Sequence, residues 1–179
     1  FFFLSKKYTS NLFNGCSLIE NELLMELIEN TSNLFNGCSS ISSIVIDSNV
    51  RYIDESAFKN CTSLKLISIP SKVHSINNFC FDGCSSLIHV MIPNSISEIN
   101  EGSFRNCISI RNIHIPSSVE KIGTSVFQNC KSLKSIFIPS SVYFIGKKCF
   151  DGCTAIEHIE INGTDINQIS DNLFHCCKS

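Results

Sequence analysis

Eleven cysteines, five histidines and sixteen acidic residues are the side chains with which this 179-residue chain could do chemistry. A thiol beside an imidazole and an acid makes a nucleophile, thiols and imidazoles at close spacing hold zinc, and paired thiols in an oxidising compartment close disulfides. The spacing argues against all three. Cys38, Cys61, Cys84, Cys107, Cys130 and Cys153 recur at a constant step of 23, and each follows a phenylalanine by three positions: Phe35, Phe58, Phe81, Phe104, Phe127 and Phe150. A cysteine that keeps phase with a phenylalanine behaves as a small buried apolar residue. Cys80 and Cys149 fill the slot held elsewhere by Ala57, Ser103 and Val126, so packing is expected of them too, and the two CFDGC segments resemble half a zinc site only superficially. Stacked identical positions lie within bridging range by Cα distance, yet neighbours in register rarely satisfy the disulfide dihedral. Buried thiols are therefore expected, with Cys176 and Cys177 as the exposed, reactive pair.

His89, His114 and His158, with Glu160, invite a metal reading. His89 and His114 would stand on adjacent coils, roughly 6–8 Å apart by strand spacing and diagonal offset. Zinc wants a third and fourth ligand, and Glu160 and His158 sit two coils further on, so no metal is expected. There is no glycine-rich phosphate loop, no GxSxG, no HExxH and no pair of carboxylates at a defined spacing. Neither enzymatic activity nor a cofactor is expected. The balance of 14 Lys+Arg against 16 Asp+Glu gives a formal charge of −2, which speaks for neither nucleic acid nor an anionic membrane. No run of 18 apolar residues is present to insert in a bilayer. Sequons stand at Asn30, Asn60 and Asn162 and bear on the chain only in a secretory pathway.

The step of 23 defines the element that must position these groups. After each cysteine, apolar residues fall at +3, +6, +8, +12 and +15, as in Leu64, Ile67, Ile69, Val73 and Ile76. The +6 and +8 pair alternates as a strand does, and Pro70, Pro93, Pro116 and Pro139 at +9 end it, because proline cannot donate the next ladder bond. A second short extended piece covers +12 to +15, and the stretch from +16 to the next cysteine has room for a helical turn or two. Gly37, Asn60, Gly83, Asn106, Asn129 and Gly152, immediately before the cysteines, tolerate the left-handed conformation that closes such a turn. One such unit cannot bury its apolar side alone. Units must stack into a solenoid with a shared core, in which each buried phenylalanine contributes on the order of 2–3 kcal/mol.

The pattern frays at both ends. TSNLFNGCS occurs at 9–17 and again at 31–39, a distance of 22, and the segment between has lost the strand and proline signals. Residues 1–32 are therefore a degenerate repeat or a capping segment, and 33–179 a solenoid of about six 23-residue coils. Near the other end one inserted residue between Ile161 and Ile166 puts Phe174 and Cys177 back in register. The opening FFFLSKKY has no Met and fits the tail of a signal-peptide core or, as the preferred expectation, the cut end of a longer sequence, and the absence of a polar cap after residue 177 suggests a longer array.

IPSSVEKIGTSVFQNCKSLKSIFI at 115–138 and IPSSVYFIGKKCFDGCTAIEHIEI at 138–161 resemble the leucine-rich repeat of BspA-like, Treponema-type surface proteins. The resemblance covers about residues 33–177 and departs from the pattern at Asp47 and Asn162, where proline is expected. It implies an α/β solenoid, a right-handed coil with a parallel sheet on its concave face and short helical turns or extended segments on the other sides. It also implies a cell-surface or secreted module for adhesion and recognition, without catalysis or metal.

Positions +5 and +7 leave such a sheet toward solvent. They supply the expected partner-binding residues Val45, Leu66, His89, Met91, Asn112, His114, Phe137, His158 and Glu160. Leu66, Met91 and Phe137 have no core reason to be apolar if they face outward. The expected partner is a protein, a host or extracellular-matrix protein among the candidates, with end-to-end self-association through unpaired strand edges as a further expectation. Abundant thiols leave a cytoplasmic interaction scaffold as the alternative.

Overall fold

The computed structural model describes residues 32–162, 168, 169, 172–174 and 177. It is a parallel-strand solenoid with repeats 23 residues apart. Its strands, in chain order, are β1 (Leu66–Ser68), β2 (Ser75–Ile76), β3 (His89–Met91), β4 (Glu98–Ile99), β5 (Asn112–His114), β6 (Lys121–Ile122), β7 (Ser135–Ile138), β8 (Phe144–Ile145), β9 (His158–Ile161) and β10 (Gln168–Ile169). Odd-numbered strands begin at +5, β2, β4, β6 and β8 lie at +14 and +15, and β10 lies one residue later. The expected N-terminal cap falls, but for Ser32, outside the described residues.

The strands β1, β3, β5 and β7 each end ahead of the proline that the sequence places there, and β9 ends ahead of Asn162. The carbonyl of Pro70 accepts from Val73 N–H at 3.0 Å, and Pro93, Pro116 and Pro139 repeat that turn. Asp47, where proline is missing, keeps the turn by another route. Its carbonyl accepts from Val50 N–H, and its carboxylate accepts from Asn49 N–H at 2.7 Å, an Asx turn in place of a fixed ring.

The short strands form one continuous sheet, β10-β8-β6-β4-β2, whereas the long strands form two, β1-β3 and β5-β7-β9. The single long parallel sheet expected from the sequence is thus interrupted between β3 and β5. At this break Ile92 and Pro93 are half-buried, while Ile69, Ile115, Ile138 and the corresponding prolines are buried. In the short sheet Gln168 pairs with Phe144, so the inserted residue is absorbed before β10 and the register resumes.

The helical turns expected before each cysteine are absent: no helix occurs among the described residues. The backbone supplies the reason. In this segment Ser56, Phe58 and Asn60 donate their N–H groups to the carbonyls of Asn78, Cys80 and Asp82 in the next coil, and the same three bonds recur from Phe79, Phe81 and Gly83 and from Ser125, Phe127 and Asn129. A helix would consume those donors internally and leave adjacent coils unlinked. Two left-handed residues per coil aim them forward instead. One column is the predicted Gly/Asn slot, with Asn60 at φ 58° and Gly83 at φ 77°. The other was not visible in the sequence: Ser56, Phe79, Gly102, Ser125 and Lys148 all lie between φ 54° and 58°.

Side chains repeat the same step. The phenylalanines stack as an unbroken column from Phe35 to Phe174, with ring centroids 5.2–5.8 Å apart and planes within 15° of parallel. Ser95, Ser118 and Ser141 donate hydroxyls to the carbonyls of Val73, Ile96 and Val119 in the preceding coil at 2.6–2.7 Å. Close approach also fixes a glycine, since a Cβ on Gly123 would stand 2.9 Å from Glu101 N.

Because Phe104 is fully buried between two stacked rings, Phe104→Ala should destabilise the protein by about 3–5 kcal/mol. Phe174→Ala, at a position 44% exposed, should cost clearly less. Guanidinium denaturation of both variants checks this, and equal costs would show that the column is not the principal packing term.

Candidate functional site

The long strands alternate outward, inward, outward, so their +5 and +7 side chains stand clear of the core. All nine residues expected to form a partner-binding face are exposed. The apolar ones among them are Val45 at 75%, Leu66 at 53%, Met91 at 54% and Phe137 at 41%. Leu66 and Met91 lie on paired strands, with Leu66 opposite His89 and Ser68 opposite Met91; Asn112 pairs with Ser135, His114 with Phe137, and Phe137 with Glu160.

The face has two parts. Over β1 and β3 it carries exposed Leu66 and Met91 beside Ser68 and His89. Across β3 to β9 lies an open depression of about 600 Å³ lined by His89, Asn112, His114, Phe137, His158 and Glu160 together with Ser135, Val90, Ile113 and Ile136. Six of the nine expected residues are thereby brought together, and Val45, Leu66 and Met91 stand outside. The depression spans the gap in the long-strand pairing, which no sequence feature announced. Among the described residues no group of three or more His, Cys, Asp and Glu side chains converges as metal ligands.

A charged cluster on the turn side also escaped the sequence reading. Asp82 is buried, and its carboxylate accepts from Arg105 Nε at 3.1 Å and Nη2 at 2.7 Å and from Asn106 Nδ2 at 3.0 Å. That hydrogen bond raises the guanidinium's hold on its proton. The Phe79 ring lies against both cations, 5.0 Å from Arg105 Cζ and 5.5 Å from Lys59 Nζ, over Gly102, where a Cβ would come within 2.5 Å of its ring carbons. Each member sits 23 or so residues from the next, so only the coil step could have revealed the group. Its bonds are spent within the protein, on joining one coil to the next.

The cysteines resolve more sharply. Cys61, Cys80, Cys84, Cys107, Cys130, Cys149 and Cys153 are buried thiols. The apolar-packing expectation is incomplete, because the ladder thiols donate: Sγ of Cys61, Cys84, Cys107, Cys130 and Cys153 lies 3.1–3.2 Å from the carbonyl of Phe35, Phe58, Phe81, Phe104 and Phe127 in turn. The Phe58, Phe81, Phe104 and Phe127 carbonyls also accept the N–H of the cysteine three residues on, so both lone pairs are used. Burial, reinforced by the neighbouring thiols, pushes Cys61 and Cys153 up to about 12, and burial raises Cys80, Cys84, Cys107, Cys130 and Cys149 strongly. Such thiols are poor nucleophiles. Cys177, expected exposed, is half-buried, with Sγ 3.0 Å from the Phe150 carbonyl; Cys176 lies outside the described residues.

The sequence profile of the BspA type leucine rich repeat region matches in six copies over residues 5–111 and 74–179. No curated protein matches the chain in sequence. A leucine rich repeat protein of T. pallidum is 31% identical, with a TM-score of 0.64 over 69% of this chain and 60% of that one. A leucine-rich repeat protein from Bacteroides ovatus ATCC 8483 is 32% identical, with a TM-score of 0.55 over 67% of this chain and 29% of that one. The chain spans less than two thirds of the length of either.

Thiols whose folded pKa lies above the unfolded one stabilise fully below about pH 8.5, and that contribution is lost as pH rises toward the folded value. Stability should therefore fall as pH rises from about 8.5 toward about 12. At pH 8 a thiol reagent should leave Cys84, Cys107 and Cys130 unmodified in the folded protein and modify them after unfolding. Mass-spectrometric mapping checks this, and native labelling of these sites at the rate of free cysteine would contradict it.

Proposed function

The chain belongs to the BspA type leucine rich repeat family, and on that premise we propose that it is a non-enzymatic recognition module of a cell surface, binding a protein through the face of its long strands. The observation that carries this reading is the row Leu66, Met91 and Phe137. These side chains stand outside strands whose inward positions Ile67, Val90 and Ile136 already fill the core, so their apolar character does nothing for the fold. Exposed apolar groups set among polar ones are the material of a protein interface. A host or extracellular-matrix protein is the proposed partner. No helix among the described residues is long and apolar enough to cross a membrane, and the proposal asks none of this segment.

Leu66→Ser, Met91→Ser and Phe137→Ser combined should abolish adhesion to cells or matrix while leaving thermal stability within a few degrees of the parent, because the three residues lie outside the core. Undiminished adhesion would remove the face from the mechanism. Independently, a membrane-impermeant amine reagent applied to intact cells should label the natural full-length protein while a cytosolic marker stays unlabelled. Protection of the protein would move the same face to an intracellular partner. The eight buried thiols among the described residues favour that second reading, since a fold rich in thiols suits a reducing compartment.

A further inference from the structure

We propose that the depression across β3 to β9 holds an extended acidic segment of the partner protein, and that the histidines standing in it tighten that hold in acid. The inference rests on the reading of this face as an interface and adds the chemistry of what it grips.

Length comes first. Four strands spaced by about 4.8 Å cover roughly 14 Å, which four or five residues of extended chain at about 3.3 Å each would span. Exposed Phe137 lines the depression beside Asn112 and Ser135, over the buried side chains of Val90, Ile113 and Ile136, so the occupant meets one exposed apolar side chain among hydrogen-bonding ones.

Charge then selects the occupant. The long strands and the residue preceding each contain eight charged or titratable side chains. Lys65 precedes β1, Arg111 precedes β5 and Lys134 precedes β7, while His89 lies on β3, His114 on β5 and His158 on β9. Only Glu157 and Glu160 oppose them, and Glu157 already lies 3.6 Å from Lys134 Nζ. The chain as a whole is net negative. Lys65, Arg111 and Lys134 do not line the depression, and Glu160 is the one carboxylate that does, so with neutral imidazoles its lining carries a single negative charge. Histidine changes charge between pH 5 and 8, where aspartates of a partner remain ionised. Protonation of His89, His114 and His158 sets three cations against Glu160 and reverses the sign of the lining, and an acidic occupant is the one that gains. Because an acidic occupant favours the imidazolium, its binding strengthens as pH falls and weakens as pH rises.

The probe is a heptapeptide alternating aspartate and leucine, read by fluorescence anisotropy against the folded chain at pH 7.5 and 5.5. Three exposed ion pairs should tighten its Kd by about tenfold between the two. Substituting His89→Asn, His114→Asn and His158→Asn together, all exposed and outside the core, should remove the shift while leaving the thermal midpoint of the chain within a few degrees of the parent. A lysine–leucine heptapeptide should bind weakly at both. An affinity independent of pH, a shift retained by the triple variant, equal binding of the lysine peptide, or binding of phosphatidylserine vesicles with none of the acidic peptide would each overturn the inference. None of these outcomes touches the interface reading, which the adhesion of the Leu66, Met91 and Phe137 variant decides by itself.

Discussion

No coil of this protein satisfies its own backbone. The N–H groups of Ser56, Phe58 and Asn60 find their acceptors in the following coil, the short strands pair only with the short strands above and below, and the long strands do likewise. A buried backbone donor without an acceptor is expensive, so a coil exists only as the neighbour of another coil at the same height. Every other feature follows from that dependence. If two coils are to match all around their circumference, their lengths must match, and the step of 23 is the record of it.

The same dependence governs chemistry. A residue type that suits one coil sits directly above its copy in the next, so functional groups are laid down in columns. Apolar columns gain from stacking, and the phenylalanine rings show it. Polar columns must find a donor for every acceptor, and here serine hydroxyls and cysteine thiols donate to carbonyls of the preceding coil. A thiol placed this way is shielded from solvent and held in its neutral form, which makes it unsuited to nucleophilic work. Chemistry therefore has room only where columns face water. On the long-strand face the columns are heterogeneous, with Ser43, Leu66, His89 and Asn112 in succession, and heterogeneity is what a surface needs in order to distinguish partners.

What could be seen in the sequence was whatever a column keeps constant. Phenylalanine before cysteine, proline after the strand and Gly/Asn before the cysteine are each set by one geometry repeated, so the strands, their exposed positions and one left-handed site could be placed beforehand. The second left-handed column stayed hidden because Ser56, Phe79, Gly102, Ser125 and Lys148 share a conformation without sharing a side chain. The helical turns were a wrong expectation for a related reason. The length of the segment allowed a helix, and only the forward direction of its N–H groups decided against one. The pairing of Asp82 with Arg105 and the break beside Pro93 are single events in single coils, and a repeat pattern carries no information about what happens once. The depression inherits that limit: its column positions were foreseen, its gathering of six of them across an interrupted sheet was not.

The inserted residue ahead of β10 shows what the solenoid tolerates. The short-strand pairing resumes one residue late, and the Phe174 ring still stacks on Phe150 at 5.7 Å. Hydrogen bonds between coils run along the axis of the stack, so a pull on its two ends loads them end-on and peels one coil at a time, with each release paying out a similar length of chain. Such a molecule yields gradually under tension, as an extensible tether rather than a brittle link.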